Sequence, residues 1–265
     1  MKILITLFFM FTLSFAKVYY SKVEPYELRD ISSNVSGLVL FIDEDKIGRE
    51  LTSKSYIRID AELDSKELKF IDEKLQYLDE ILRVNQDVLQ NLDKSLNRKR
   101  ENYKRIAELK FKSVVEKDRE YHELVSSENA YLNTQKEIQN LNVQVADLKL
   151  RKAHLKRSVK DKNIRNKGFV LYEISVKVGQ VVGISTPLAK VADTSKAKLT
   201  IYLDEVDVAS VKSKVVYING EKTSYKVSRT LNIADTKNIS KYMAQIIIKA
   251  PKLFSKLATV ELKDK

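Results

Sequence analysis

The sequence predicts an α+β protein in which a long antiparallel coiled-coil hairpin is inserted into a split β-sandwich and followed by a small β-barrel. Two segments with one pattern, Gly37–Gly48 and Gly168–Gly179, each hold two glycines eleven positions apart. Between Arg49 and Lys167 the chain has no glycine or proline, and leucines recur there at heptad spacing. Because helix-compatible sequence separates two similar β segments, we interpret them as halves of one unit split by a helical insertion.

Residues 1–16 have the pattern of a signal peptide. A lysine is followed by the apolar run Ile3–Phe15, and Ser14-Phe15-Ala16 fits a signal-peptidase site. The run of about 13 apolar residues is shorter than the roughly 20 that span a bilayer, so we expect cleavage and export, with retention as an anchor as the alternative. Because the chain has no cysteine, it has neither disulfides nor a lipidated cysteine at this site.

Short apolar runs that end in glycine predict β-strands on both sides of the helical insertion. Residues 17–30 are predicted to supply an N-terminal strand to the barrel, and residues 31–62 and 164–193 to form the halves of the sandwich. The duplicated unit resembles the lipoyl or biotinyl carrier fold, which presents a modified lysine at a turn. Here that role would fall to a residue such as Lys46, whose surroundings, Asp-Glu-Asp-Lys, are too generic to imply modification, so we expect a solvated turn residue.

Residues 63–163 are predicted to form the hairpin. Each arm has apolar residues that recur every seven positions, with a second set three positions later, as in a coiled coil. On the first arm these positions are Leu68, Leu75, Leu82, Leu89, Leu96 and Tyr103, then Ile71, Leu78, Asn85, Leu92, Lys99 and Ile106. On the second arm they are Leu124, Tyr131, Ile138, Val145, Lys152 and Val159, with Leu141, Leu148 and Leu155. Arms of about 45 residues would extend roughly 65 to 70 Å.

Capping signals and charge place the hairpin's ends. Asp64 and Ser65 predict the start of the first helix, and Ser113 with Glu116 has capping-box spacing for the second. Residues 62–80 hold seven acids and three lysines, whereas residues 149–167 hold nine bases and one acid. An antiparallel hairpin with its tip near Lys112 brings these blocks together. We therefore expect the acids to compensate the basic charges within the hairpin, rather than the basic block to bind nucleic acid.

Beyond residue 193 the pattern predicts the small β-barrel, residues 194–265. The predicted strands are Lys198–Leu203, Val215–Ile218, Tyr225–Ile233, Ala244–Lys249 and Thr259–Leu262, with a turn at Asn219-Gly220 and a short helix over Asp204–Val211. The segment Val18–Val23 adds a strand. A surplus of seven positive charges here predicts a solvated surface, with attraction to anionic lipid headgroups as a secondary possibility.

No residue pattern predicts catalysis, a cofactor site or a metal site. His122 and His154 are the only histidines, and both lie far apart on the second arm without ligands at metal-binding spacing. The sequence has no phosphate-binding glycine loop, nucleophile elbow or paired-carboxylate motif. We therefore expect a protein that is not an enzyme.

In its order of parts the chain resembles the periplasmic adaptors, the HlyD-like membrane fusion protein family. The similarity covers nearly the whole mature chain, and the glycine repeat split by a coiled coil is its most specific part. The resemblance implies an adaptor in the periplasm, associated with the inner membrane, that links an inner-membrane ABC or RND transporter to a TolC-like outer-membrane channel in efflux or type I secretion. It also implies a homo-oligomer, either a hexamer or a trimer of dimers.

The family's docking motif lies at the hairpin tip: arginine, leucine four residues later, and serine or threonine seven residues after that. Arg105 and Leu109 match, but the third position is Glu116, and Ser113 lies close by out of register. The resemblance therefore implies channel docking by the tip. The alternative is that Ser113 and Glu116 only cap the second helix while Leu109 closes the helical seam.

Two other protein classes explain parts of the sequence. An exported coiled-coil spacer without a transport role accounts for the arms but not for the glycine repeat. A carrier protein of an enzyme complex accounts for the repeat but not for its interruption by a hairpin or for the export signal.

Overall fold

The computed structural model describes residues 17–235, 238 and 240–264, so the predicted signal peptide at residues 1–16 lies outside the described residues. Within them the chain forms thirteen strands and three α-helices. The strands before the hairpin are β1 Val18–Lys22, β2 Glu24–Ser32, β3 Gly37–Ile42 and β4 Ile57–Ile59. The hairpin consists of α1 Glu62–Glu108 and α2 Val114–Asp161. The elements that follow are β5 Asn163–Ile164, β6 Val170–Ile174, β7 Val181–Val182, β8 Pro187–Leu203, α3 Glu205–Ser210, β9 Val215–Ile218, β10 Glu221–Lys222, β11 Val227–Ala234, β12 Tyr242–Lys249 and β13 Leu257–Lys263.

The two glycine-punctuated segments fold together into one β unit at the base of the hairpin. Its sheet has the order β5-β4-β3-β7, so two strands from before the hairpin lie between two strands from after it. Strand β4 leads into α1 and β5 follows α2, and the two strands pair directly. The core of this unit draws on both segments. Consequently the helical insertion leaves and re-enters one folded unit, as the sequence predicts.

The two segments also exchange equivalent hydrogen bonds. The amide of Gly48 donates to the carbonyl of Leu171 at 2.8 Å, and the amide of Gly179 donates to the carbonyl of Val39 at 2.9 Å. Both glycines have positive φ angles, 79° and 85°, which explains the residue type at each turn. Val39 and Leu171 are fully buried. When the two segments are aligned on their glycines, Val39 corresponds to Val170 in sequence, whereas the hydrogen bonds make Val39 equivalent to Leu171, one residue farther along the strand.

The helices form the predicted antiparallel hairpin, 47 and 48 residues long, which corresponds to about 70 Å. The predicted seam is confirmed, because every heptad position named on either arm is buried or half-buried. The prediction that Asp64 and Ser65 cap α1 is wrong: the helix begins at Glu62, whose amide donates to Asp60 Oδ1 at 2.9 Å. Asp64 instead accepts a hydrogen bond from Ser158 at 2.5 Å, across the seam.

The predicted charge complementarity between the arms is present at the base of the hairpin. Lys162 Nζ lies 3.0 Å from Asp64 Oδ2. Arg151 pairs with Glu67, and Lys152 pairs with Asp72. Burial by itself would raise the pKa of Asp64, but the hydrogen bonds from Ser158 and Lys162 outweigh it and lower that pKa.

The C-terminal β unit confirms the predicted strands, with β1 joining it through antiparallel pairing to β13. One sheet has the order β1-β13-β9-β10 and the other has the order β11-β12-β8-β2, around a shared apolar core. The predicted Asn219-Gly220 turn connects β9 and β10, with φ angles of 52° and 82°. The predicted short helix is α3.

Two strands connect the β units. Strand β8 pairs with β6 over its first half and with β12 over its second half, and β2 pairs with it from Pro187 to Lys198. They therefore cross the predicted domain limits near residues 30 and 193. The division of the chain at those limits stays a prediction, and continuous strands couple the two units.

Candidate functional site

The candidate site is the tip of the hairpin, where α1 ends at Glu108 and α2 begins at Val114. Leu109 leaves the helical conformation, with φ −73° and ψ 120°, and its amide donates to the carbonyl of Ile106 at 3.2 Å. Lys117 reaches from α2 to donate to the carbonyl of Ala107 at 2.9 Å. This bond satisfies a carbonyl of the last turn of α1 and ties the two helices at the turn.

Ser113 and Glu116 form a complete capping box. Ser113 Oγ accepts from the amide of Glu116 at 3.2 Å, and Glu116 Oε2 accepts from the amide of Ser113 at 3.0 Å. The Ser113 hydroxyl also donates to the same carboxylate oxygen at 3.0 Å. The sequence-based interpretation of this pair as a cap is therefore correct, and the pair fixes the direction in which α2 leaves the turn.

Lys112 strengthens this arrangement from inside the turn. Its Nζ donates to Glu116 Oε1 at 2.9 Å. This bond, together with those from the amide and hydroxyl of Ser113, lowers the pKa of Glu116 to about 2. The carboxylate at the third position of the docking motif is thus charged and uses its oxygens within the turn.

Arg105 lies in the last turn of α1, and Leu109 follows it by four residues, just beyond the end of the helix. The Arg105 guanidinium is exposed, and Nη2 donates to Asn102 Oδ1 at 2.5 Å. Leu109 is half-buried at the end of the seam. The structure thus brings Ser113 and Glu116 into direct contact, while Arg105 lies on the outer surface of α1 and leaves further donors for a partner.

An apolar surface at the tip was missed by the sequence reasoning. Phe111, Val114 and Val115 are 79%, 73% and 78% exposed. Two valines that directly follow the cap lie outside the heptad seam, and this displacement from register was the signal that could have identified them. Three exposed apolar side chains, close in sequence and surrounded by lysines, make a surface suited to contact with another protein.

Contacts below the turn brace the tip. The rings of Tyr103 on α1 and Tyr121 on α2 have centroids 5.6 Å apart. Farther from the tip, Arg100 Nη2 lies 2.6 Å from Glu128 Oε1. Cross-helix packing therefore holds the surface formed by Phe111, Val114 and Val115 in a defined position.

Neither a protein-family model nor a curated protein sequence matches this chain. Solved structures do. MacA from Actinobacillus actinomycetemcomitans superposes with a TM-score of 0.69 at 16% identity, over 93% of this chain and 78% of that one. A membrane fusion protein from Streptococcus pneumoniae R6 superposes with a TM-score of 0.55 at 12% identity, over 94% and 100%. The chain has the fold of a membrane fusion protein.

A further solved structure shares this membrane fusion protein fold. A putative efflux transporter from Bacteroides eggerthii also superposes, with a TM-score of 0.52 at 12% identity, over 94% of this chain and 69% of that one. Among the described residues no helix is both long and apolar enough to span a membrane. Within the same residues no three histidine or acidic side chains cluster to hold a metal ion.

Proposed function

We propose that this protein is a periplasmic adaptor subunit that links an inner-membrane transporter to a TolC-like outer-membrane channel in efflux or type I secretion. The observation that carries the proposal is a rigid helical hairpin of about 70 Å whose tip presents exposed apolar and basic side chains. A spacer with no partner at its tip has no use for three exposed apolar residues there. The membrane fusion protein fold supports the same interpretation.

In this proposal the tip contacts the channel through two kinds of interaction. Phe111, Val114 and Val115 provide the apolar contact, and Arg105 provides a guanidinium that can bond a carbonyl or carboxylate with fixed geometry. Leu109 supports this surface at the end of the seam. Ser113 and Glu116 act by positioning, because their hydrogen bonds fix the turn.

The opposite end of the molecule would serve the transporter, of the ABC or RND class. We propose that the split β unit, residues 31–62 and 164–193, is the lipoyl-like domain of the family, and that residues 194–265 with the strand from residues 17–30 form its β-barrel. The signal peptide at residues 1–16 would direct the protein to the periplasm, where it associates with the inner membrane. Assembly would be a homo-oligomer, as a hexamer or a trimer of dimers.

An export assay tests the tip directly. We expect Arg105→Asp and Leu109→Asp each to abolish export, and Arg105→Lys to weaken it because lysine keeps the charge but loses the planar geometry. Lys104→Asp is the matched control, since it makes the same charge change one residue away on an exposed position, and it should retain most export. Circular dichroism must show an intact hairpin in each variant. Full export by Arg105→Asp and Leu109→Asp combined would exclude channel docking through the tip.

A further inference from the structure

A row of exposed apolar side chains runs along α1, away from its seam with α2. We call it the α1 stripe: Leu63, Phe70, Tyr77, Ile81, Val84 and Val88, with exposures from 42% to 78%. Their spacing of seven, and of four and three, places them on one face of the helix over about 38 Å. None of them belongs to the helical seam. A solvated coiled coil has no need for this second apolar row.

The α1 stripe lies on a flank of the hairpin that an ion pair identifies. Glu67, which pairs with Arg151 of α2, lies three residues before Phe70 and ten before Tyr77, on the same helix face. This pair bridges the two helices along one side of the seam. The stripe therefore extends outward from that side of the hairpin.

A smaller apolar row on α2 lies on the opposite flank. We call it the α2 stripe: Val143, Ala146, Leu150 and Ala153, all exposed. Glu67 directly precedes a seam leucine of α1, whereas Arg100 follows a seam leucine by four positions, so their ion pairs lie on opposite sides of the seam. Glu128, the partner of Arg100 at 2.6 Å, precedes Ala146 and Ala153 by 18 and 25 residues. Both separations are whole numbers of helical turns to within about half a residue, so these positions share a face.

The two stripes match in height and in side-chain size. The pairs Glu67–Arg151 and Asp72–Lys152 bracket Phe70 and place it level with Ala153. Seven residues farther toward the tip on each helix, Tyr77 is level with Ala146. An aromatic ring on one flank thus lies at the height of an alanine on the other, and the alanines leave room for the rings of a neighbouring copy.

Charges beside the stripes are complementary as well. Glu73 borders the α1 stripe. Its Oε1 atom lies 3.9 Å from Lys69 Nζ, and both side chains are exposed. Lys149 borders the α2 stripe at the same height and has no ion pair among the residues that the structure describes. Between neighbouring copies, Glu73 of one and Lys149 of the next would lie side by side.

We propose that the α1 stripe of one copy packs against the α2 stripe of the next, so that hairpins associate side by side around a ring. The interface is heterologous, because different surfaces of the two copies meet. A rotation axis parallel to the hairpins keeps neighbouring copies at the same height, so the aromatic side chains of one stripe face the alanines of the other. This inference rests on the homo-oligomer of the proposed function and names the surfaces that form it. The α2 stripe is only about 15 Å long, so the strip that the two stripes share, about 15 by 10 Å, is far smaller than the roughly 800 Å² per partner of a stable interface. The arms therefore supply only part of the contact.

Paired cysteines test the interface, because the chain has no cysteine of its own. Phe70→Cys with Ala153→Cys, in membranes from cells producing the full chain, should give a ladder of interchain disulfides after copper phenanthroline oxidation. Phe70→Cys with Asn140→Cys is the matched control, since Asn140 lies about 20 Å from Ala153 along α2, and it should give none. Glu73→Lys should reduce the ladder, and adding Lys149→Glu should restore it.

Two results would overturn the proposal. Equal dimer formation by Phe70→Cys alone would show that the stripe pairs with itself, and absence of interchain product from the Phe70–Ala153 pair would show that these flanks do not meet. Arg105→Asp, which tests channel docking, should leave the ladder unchanged. Failure of docking and failure of this interface are therefore distinguishable.

Discussion

At the scale of single residues, Glu116 differs from the residue type of the family's docking motif but stabilises the turn at the tip. The motif has a hydroxyl residue at this position, whereas here the carboxylate completes a capping box with Ser113 and pairs with Lys112. The hydroxyl three residues earlier does the capping from the other side. Glu116→Ser should therefore be tolerated, with only a small loss of helix stability from the reciprocal cap, which thermal unfolding followed by circular dichroism would measure.

The charge state of Glu116 gives a prediction that concerns this residue alone. Its pKa falls from an ordinary 4.5 to about 2 because Lys112 and Ser113 hydrogen-bond the carboxylate. A lowered folded pKa means that the stabilisation is complete above pH 4.5 and is lost as the pH falls toward 2. Carboxyl-carbon NMR should show a Glu116 titration well below the ordinary range, and Lys112→Ala should raise its pKa. A normal titration in the unaltered chain would refute these contacts.

At the scale of elements, the hairpin was predictable because its information is local and periodic. Heptads identify the seam, and opposite charge blocks on residues 62–80 and 149–167 predict the antiparallel direction. The start of α1 was mispredicted because Asp64 makes a long-range hydrogen bond with Ser158, which no local pattern reveals. Likewise, the exposure of Phe111 depends on how the turn folds, and the one-residue displacement of Leu171 depends on pairing between distant strands.

The pairing of the arms can be tested within one chain. Cysteines at Leu68 and Lys156 lie at one height near the base, between the cross-helix pairs of Asp64 and Asp72. We expect the double variant to form an intrachain crosslink with a short bifunctional thiol reagent, detected as a mobility shift of the monomer. As a control, each single variant should show no shift. Crosslinks that form only between chains would indicate that the arms pair with another copy.

At the scale of the whole molecule, the fold separates a rigid projecting arm from a coupled pair of β units. Strands β2 and β8 continue from one unit to the other, so a displacement of one unit is passed to the other through continuous backbone. The cross-helix ion pairs and the seam carry that rigidity toward the tip. The order of parts was predictable from the split glycine repeat. The continuity of β8 across residue 193 was not, because Asp193 and Ser195 are residue types common in turns and yet lie inside the strand.

The most direct test of the account is a photo-crosslinking residue placed at Phe111 in intact cells. If the tip docks as proposed, light should join this position to an outer-membrane channel, while the same residue at Asn140, about 40 Å away along α2, should not capture the channel. Mass spectrometry of the adduct identifies the partner. Adducts with a TolC-like channel from Phe111 alone are the predicted result, and a tip that captures no channel in cells that export normally would contradict the account.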